Sequence, residues 1–306
     1  MILILLAIDL GVFNREAHVI SVKEASCWTA LWVSVALSFS LVVFYIYSHQ
    51  LVDNPSQLTP REATVIYITG YLIELSLSVD NIFVIAVIFS TFKIPMQYQH
   101  RVLFWGILGA IVFRAIMILF GVILINRVSW MIYVFGIFLI FTAYKMLTAK
   151  DEPFDPRKSF VFRQIRKIIP ITQRMDGEKF FIKLKHIRAA TPLFVALVVI
   201  EVTDVLFALD SVPAIIAITS DPFLVFSSNI LAIMGLRSMY FFLSNMIDRF
   251  AYLEYSLIII LTFVGVKMLL SHTIEIPHVV SLTIILLALI GGVVGSLYFA
   301  QPKETN

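Results

Sequence analysis

Long, predominantly apolar runs are the feature that most limits how this chain can fold. Eight of them come close to or exceed the roughly 20 residues that a helix needs to cross a bilayer. The chain is 60% hydrophobic and 14% charged, whereas soluble domains are about 45–50% apolar and about 25% charged. Lipid cannot satisfy exposed backbone polar groups, so such runs form helices. The sequence predicts an all-α, polytopic membrane helix bundle.

We expect about eight to nine transmembrane helices. A short apolar segment at residues 1–13 contains Asp9 and is too short to cross the membrane alone, so it is interpreted as a short or truncated first helix. The eight full spans are expected at residues 26–48, 63–91, 102–125, 130–148, 191–219, 223–246, 253–271 and 279–300.

The distribution of basic residues predicts the orientation of these spans. Seventeen of the 23 Lys and Arg residues lie in connections that would share one side, and 11 of these fall within residues 149–190. Only Arg61 and Arg127 lie in connections on the other side. By the positive-inside rule, the 149–190 loop and the C-terminus are expected in the cytoplasm and the N-terminus outside. The basic balance is therefore a topology signal, and no nucleic-acid partner is expected.

The chain also repeats itself in a way that predicts its organisation. Four correspondences occur in the same order: Glu74 with Asp204, Asp80 with Asp210, Arg114 with Arg237, and Lys145 with Lys267. Each unit holds three spans, so the second unit enters the membrane from the opposite face. Such inverted 3+3 repeats are common in secondary transporters, with the site near the midplane.

The predicted organisation therefore has five parts. They are N-terminal membrane segments at 1–62, a first repeat at 63–148, a basic cytoplasmic loop at 149–190, a second repeat at 191–271 and a last span at 279–300.

Five carboxylates lie deep inside apolar runs, where each costs roughly 2.5–3.5 kcal/mol on insertion scales. Ionisable residues at such depth indicate a functional site. We predict a metal site formed by these acids and by neighbouring polar residues, with Arg114 and Arg237 as charge-balancing residues. The predicted ligands are Glu74, Asp80, Asn81, Glu201, Asp204, Asp210 and Ser211.

The donor set indicates which ion the site would prefer. All six histidines fall in loops or at span ends, and Cys27 is the only cysteine. Oxygen donors alone favour Mg²⁺, Ca²⁺ and Mn²⁺ over Cu⁺ or Zn²⁺. The acids outnumber the nearby basic residues, so a bound cation or protons would compensate the buried charge. No permanently bound cofactor is expected.

Helical geometry separates the two acids of each motif. A spacing of six residues places them about 120° apart on a regular helix. Pro213 removes a backbone donor and clashes one turn back, near Leu209. We therefore expect local unwinding at the second motif, which would bring Asp204 and Asp210 together. Lys145 and Lys267 lie near span ends and are expected to extend towards the membrane surface.

Several long motifs closely resemble the TerC family of integral membrane proteins, with its Alx-like branch nearest. They are YLIELSLSVDNIFV, QHRVLFWGILGA, ATPLFVALVVIEVTDVLFALDSVPAI, SNILAIMGLRSMYFFL and DRFAYLEY. The resemblance implies Mn²⁺ export from the bacterial cytoplasm and an association with tellurium resistance. It places Glu74, Asp80 and Asn81 on a first acidic motif, and the second motif on Glu201, Asp204, Asp210 and Ser211.

The function predicted is therefore a secondary transporter that exports a hard divalent cation, with Mn²⁺ as the transported ion. The alternative is a non-transporting membrane component of a tellurite- or stress-resistance complex, working through the 149–190 loop. We find no catalytic motif in the sequence, so an enzyme is not expected. The expected location is the inner (plasma) membrane, with lipid and a divalent metal ion as partners. A homo-oligomer is left open.

Overall fold

The computed structural model describes residues 21–299 except for 55, 129, 149–155, 159, 185, 186, 245–251, 272 and 275. Within these residues the protein is built from ten helices and one small hairpin. The predicted short first segment, with Asp9, lies outside the described residues.

The first four helices are α1 (Val22–Ser48), α2 (Pro60–Thr91), α3 (Met96–Arg127) and α4 (Met131–Thr148). A shorter helix, α5 (Phe160–Ile168), and the strands β1 (Phe181–Leu184) and β2 (Ile187–Ala190) follow. The remaining helices are α6 (Pro192–Ile216), α7 (Pro222–Met234), α8 (Leu236–Ser244), α9 (Leu253–Leu270) and α10 (His278–Phe299).

Seven of the described helices are long and apolar enough to cross a membrane. The pair α7 and α8 is apolar enough to make an eighth, bent span if the two helices cross together. Each lies within a few residues of a predicted span, which confirms the multi-pass helical architecture. Local signals fix several ends. Thr59 and Glu62 form a reciprocal capping box around the start of α2. Asp221 caps α7 through its side chain and accepts a 2.7 Å hydrogen bond from the Tyr47 hydroxyl, which ties α1 to α7.

The structure differs from the prediction at two positions in the second half. The span expected at 223–246 is broken at Gly235, where α7 and α8 meet at a bend of 43°. The unwinding expected near Pro213 is absent, because α6 continues through that residue to Ile216. Pro213 lies in the last turn of α6, three residues before the helix ends at Ile216.

Contacts between helices follow the pattern that an inverted repeat predicts. An inverted repeat would pair α2 with α6, α3 with the bent α7–α8 pair, and α4 with α9. A two-fold axis relating these pairs maps the α3–α6 interface onto the α2–α7 interface. Both of these interfaces are among the most extensive in the described part of the bundle. The pairs that the axis would map onto themselves, α4–α9, α2–α6 and α3–α7, are also in contact.

Glycines permit the closest of these approaches, between α4 and α9. A Cβ atom added at Gly136 would lie 3.0 Å from the carbonyl oxygen of Gly265, and one at Gly265 would lie 2.9 Å from that of Gly136. Small residues at helix crossings let backbones approach closely in membrane bundles. The third helices of the two predicted repeats therefore pack directly on each other.

The basic segment between the repeats is more ordered than the predicted loop. Its helix α5 buries Ile165, and Phe162 contacts Phe92 at the end of α2, with ring centroids 5.8 Å apart. Strands β1 and β2 pair antiparallel. Arg157 donates a 2.7 Å hydrogen bond to the Thr91 carbonyl. The segment therefore packs on the end of the bundle where α2 ends.

Candidate functional site

Arg114 lies at the junction of the two halves of the membrane bundle. Its guanidinium forms an ion pair with Glu74 on α2 and a second with Asp204 on α6, where Nη2 and Oδ1 are 3.1 Å apart. The side chains of Arg114 and Glu74 are almost completely buried, while that of Asp204 is 14% exposed. One cation therefore links the first acid of one predicted motif to the corresponding acid of the other.

The second oxygen of Glu74 is held from α7. The Asn229 side-chain amide donates to Glu74 Oε2 at 2.9 Å, and Asn229 is completely buried. Helices α2, α3, α6 and α7 thus meet around one buried ion-pair network. Our sequence analysis missed Asn229, although a lone amide within the apolar run VFSSNILAIM is a signal that could have identified it.

Asp210, the last acid of the second motif, has a different environment. Its Oδ1 accepts a 2.9 Å hydrogen bond from Thr142 on α4. It lines a cavity of about 220 Å³ between α2, α4, α6 and α9. The lining residues are Leu77, Asn81, Thr142, Lys145, Met146, Phe207, Asp210, Ser211, Leu257 and Leu261. Both predicted repeats therefore contribute oxygen donors to this cavity.

A smaller cavity of about 30 Å³ shares Asn81 and Phe207 with the larger one. It is mainly apolar and is also lined by Thr203 and Asp204. Asn81 is 3% exposed and Ser211 is 1% exposed, so both polar residues belong to the interior of the bundle. The side chain of Asp80, which immediately precedes Asn81, lies outside the described part of the structure.

Glu201 occupies a third position, against α3. Its carboxylate lies over Gly109 so closely that a methyl group at Gly109 would overlap it. Oε2 of Glu201 is buried and has no hydrogen-bond partner among the described residues. A larger residue at position 109 would therefore require the Glu201 side chain to move.

The predicted ligands whose side chains the structure describes lie at three separate positions. Among the described side chains, no group of three or more His, Cys, Asp and Glu residues could hold a metal ion. Glu74 and Asp204 meet at Arg114, Glu201 lies against Gly109, and Asp210 lines the larger cavity with Asn81 and Ser211. Unwinding does not bring Asp204 and Asp210 together, because α6 is continuous between them.

The basic residues that were predicted to balance charge or to anchor the spans also lie in different environments. Arg114 pairs with Glu74 and Asp204. Arg237 is buried at the start of α8, two residues after the bend at Gly235. Lys145 lines the larger cavity. Lys267 is half-buried and donates a 2.9 Å hydrogen bond to Ser281 near the start of α10.

Comparison with known proteins identifies the family. The model of the integral membrane protein TerC family matches residues 59–304. The chain belongs to the TerC family. This TerC-family chain is 48% identical over 305 residues to a membrane protein of Myxococcus xanthus, covering 100% of the chain and 92% of the relative. It is 41% identical over 293 residues to a membrane protein of Rickettsia bellii, covering 96% and 93%.

A third TerC-family relative has a descriptive name. It is Alx of Escherichia coli (strain K12), by its name a candidate membrane-bound redox modulator. The two sequences are 43% identical over 283 residues, covering 92% of this chain and 87% of Alx. No solved structure matches the chain. The predicted family is therefore confirmed, and the chain is a multi-pass membrane protein.

Proposed function

We propose that this TerC-family protein is a secondary transporter that exports a hard divalent cation from the cytoplasm, with Mn²⁺ as the preferred ion. The supporting observation is the 220 Å³ cavity where α2 and α4 of one predicted repeat face α6 and α9 of the other. In transporters built from repeats, substrate sites lie near the midplane where the repeats meet.

The donors in this cavity fit such an ion. Asp210 supplies a carboxylate, and Asn81, Ser211 and Thr142 supply neutral oxygens. Carboxylate, carbonyl and water ligands suit Mg²⁺, Ca²⁺ and Mn²⁺. A water molecule takes up about 30 Å³ in the liquid, so the cavity could admit an ion that keeps part of its hydration shell.

Within this proposal, Asp210, Asn81 and Ser211 act as direct ligands of the ion. Asp80 is proposed as a further ligand from the sequence alone, because it corresponds to Asp210 in the other repeat. Glu74 and Asp204 have a different role, since both already pair with Arg114. They hold the two repeats together beside the ion path.

We further propose that protons drive the export and that the protein lies in the inner membrane with segment 149–190 in the cytoplasm. A site with an excess of carboxylates needs compensation when the cation leaves, and protons can supply it. The positive-inside distribution of Lys and Arg supports the orientation.

The competing function is a non-transporting component of a stress-resistance complex. The ordered surface formed by α5 and the β1–β2 hairpin favours it, because such a surface could bind a partner protein. A redox role through an internal dithiol is excluded, since Cys27 is the only cysteine in the sequence.

Metal flux into inside-out vesicles tests the proposal. Vesicles with the wild-type protein should accumulate Mn²⁺, faster with an imposed pH gradient, whereas vesicles with Asp210→Asn should match protein-free vesicles. Asp176→Asn, on the exposed surface of the basic segment, is the matched control and should transport normally. Equal Mn²⁺ uptake by wild-type and protein-free vesicles would favour the non-transporting role.

A further inference from the structure

The β1–β2 hairpin is fixed where two membrane helices begin. β2 ends at Ala190 and α6 starts at Pro192. The ring of Phe181 contacts that of Phe194 in the first turn of α6, with centroids 4.4 Å apart. The Arg101 guanidinium, near the start of α3, lies 5.1 Å from the centre of the Phe180 ring. The hairpin is therefore held at the end of the bundle where α3 and α6 begin.

Two basic residues face each other across this hairpin. Lys183 on β1 and Arg188 on β2 are direct partners in the antiparallel register, and both are exposed. Like charges at directly opposite positions destabilise a sheet. The arrangement is favourable when an anion lies between or beside the two side chains.

The protein's own acids do not supply that anion within the described residues. The described part of 156–190 contains two acidic residues, Asp176 and Glu178. Asp176 pairs with Lys179 at 2.7 Å, and Glu178 pairs with Arg101 at 3.2 Å.

An open groove of about 490 Å³ lies beside the two basic residues. It is lined by Ile169, Phe181, Ile182, Lys183 and Arg188. Large apolar side chains close to the groove are exposed, with Ile168 at 78% and Ile187 at 62%. A soluble anion would contact only the basic part of this surface. A phospholipid presents a phosphate and an adjoining apolar chain together.

We propose that this groove binds an anionic phospholipid, with its phosphate bound by Lys183 and Arg188 and its apolar part along Phe181 and Ile169. The site does not depend on the transport function. The basic residues Arg163, Arg166 and Lys167 of α5 are also exposed at the same end of the bundle. They would add a diffuse attraction to an anionic membrane surface.

The test measures lipid binding to the purified full-length protein by native mass spectrometry, with phosphatidylglycerol and phosphatidylcholine in separate titrations. Wild-type protein should retain phosphatidylglycerol in preference to phosphatidylcholine. Each basic residue near anionic lipid contributes about a factor of five, so Lys183→Gln with Arg188→Gln should weaken phosphatidylglycerol binding about 25-fold. The charge-preserving pair Lys183→Arg with Arg188→Lys should keep it.

Lys179→Gln is the matched control, because Lys179 is a basic residue of the same segment that already pairs with Asp176. It should bind phosphatidylglycerol as the wild type does. If the double variant accumulates poorly, the single variants Lys183→Gln and Arg188→Gln each test the site, with about fivefold weaker binding expected. Equal binding by the wild type and these neutralised variants would overturn the proposal. Full displacement of the lipid by inorganic phosphate would overturn it too, because the groove would then bind a soluble anion.

Discussion

Two acids of the second motif, Asp204 and Asp210, lie six residues apart on one helix and have different environments. Asp204 pairs with Arg114, which also holds Glu74 of the other predicted repeat. Asp210 lines a cavity beside neutral oxygen donors, and its described hydrogen bond comes from the Thr142 hydroxyl. A carboxylate bound to a buried guanidinium has little capacity left for a metal ion. The difference indicates that one acid holds the bundle together and the other is available for an ion.

The largest effect is expected from Arg114→Gln. It would leave Glu74 and Asp204 buried near each other without their shared cation, and breaking a buried pair costs about 3–5 kcal/mol. We expect poor accumulation and a strongly lowered melting temperature in detergent. Arg163→Gln, which removes an exposed arginine, is the control. Unchanged stability of Arg114→Gln would show that Arg114 does not hold the helices together.

Adding Glu74→Gln to Arg114→Gln sharpens that result. The double variant removes one positive and one negative charge, and the glutamine can still accept the hydrogen bond from Asn229. Stability should recover part of the loss, because only Asp204, which is 14% exposed, remains uncompensated. A double variant that is less stable than Arg114→Gln alone would contradict the ion-pair explanation.

A smaller loss is expected from Gly109→Ala. The added methyl group would overlap the Glu201 carboxylate, and such overpacking costs about 1–3 kcal/mol. Thermal unfolding measures the change. In the matched control, Gly291→Ala on α10, the new methyl group meets no atom within 4 Å. If both variants unfold at the same temperature, Glu201 does not pack against Gly109.

The smallest change in stability is expected from Thr142→Val, which keeps the shape of the side chain and removes the hydroxyl that donates to Asp210. A hydrogen bond to a charged group is worth about 1.5–3 kcal/mol, but the adjoining cavity lets other donors replace it. We expect a loss below about 1.5 kcal/mol by thermal unfolding, together with weaker Mn²⁺ binding. A loss as large as that of Arg114→Gln would remove the distinction between the two acids.

The spans could be predicted from the sequence because membrane thickness fixes their length and lipid fixes their composition. The predicted and observed ends of α4 and α9 agree within one residue. The break at Gly235 could not be predicted in this way, since α7 and α8 together form one apolar run. The β1–β2 hairpin was missed because its strands are only four residues each and lie in a segment dominated by charge.

Of the five predicted acids, Glu74, Glu201, Asp204 and Asp210 are buried or partly buried in the described structure. Their separation from one another was not predicted. Arg114 lies 40 residues from Glu74 and 90 from Asp204 along the chain, so their pairing depends on how α3 packs between α2 and α6. Spacing within one motif carries no information on that packing. The sequence analysis gave Asp204 and Asp210 the same role as metal ligands, whereas their tertiary contacts give them different environments.

Asp210→Asn, measured for Mn²⁺ flux and for melting temperature in the same preparation, separates the two roles most directly. The change keeps the shape and one oxygen but removes the charge that competes with the ion's hydration. We predict that efflux is abolished while the melting temperature is unchanged or raised, because burying an amide costs less than burying a charge. Asp80→Asn should behave in the same way. The opposite result would be a melting temperature of Asp210→Asn as low as that of Arg114→Gln, with both stability and flux restored when Lys145→Gln is added. That result would show that Asp210 is a structural partner of Lys145 and not an ion ligand.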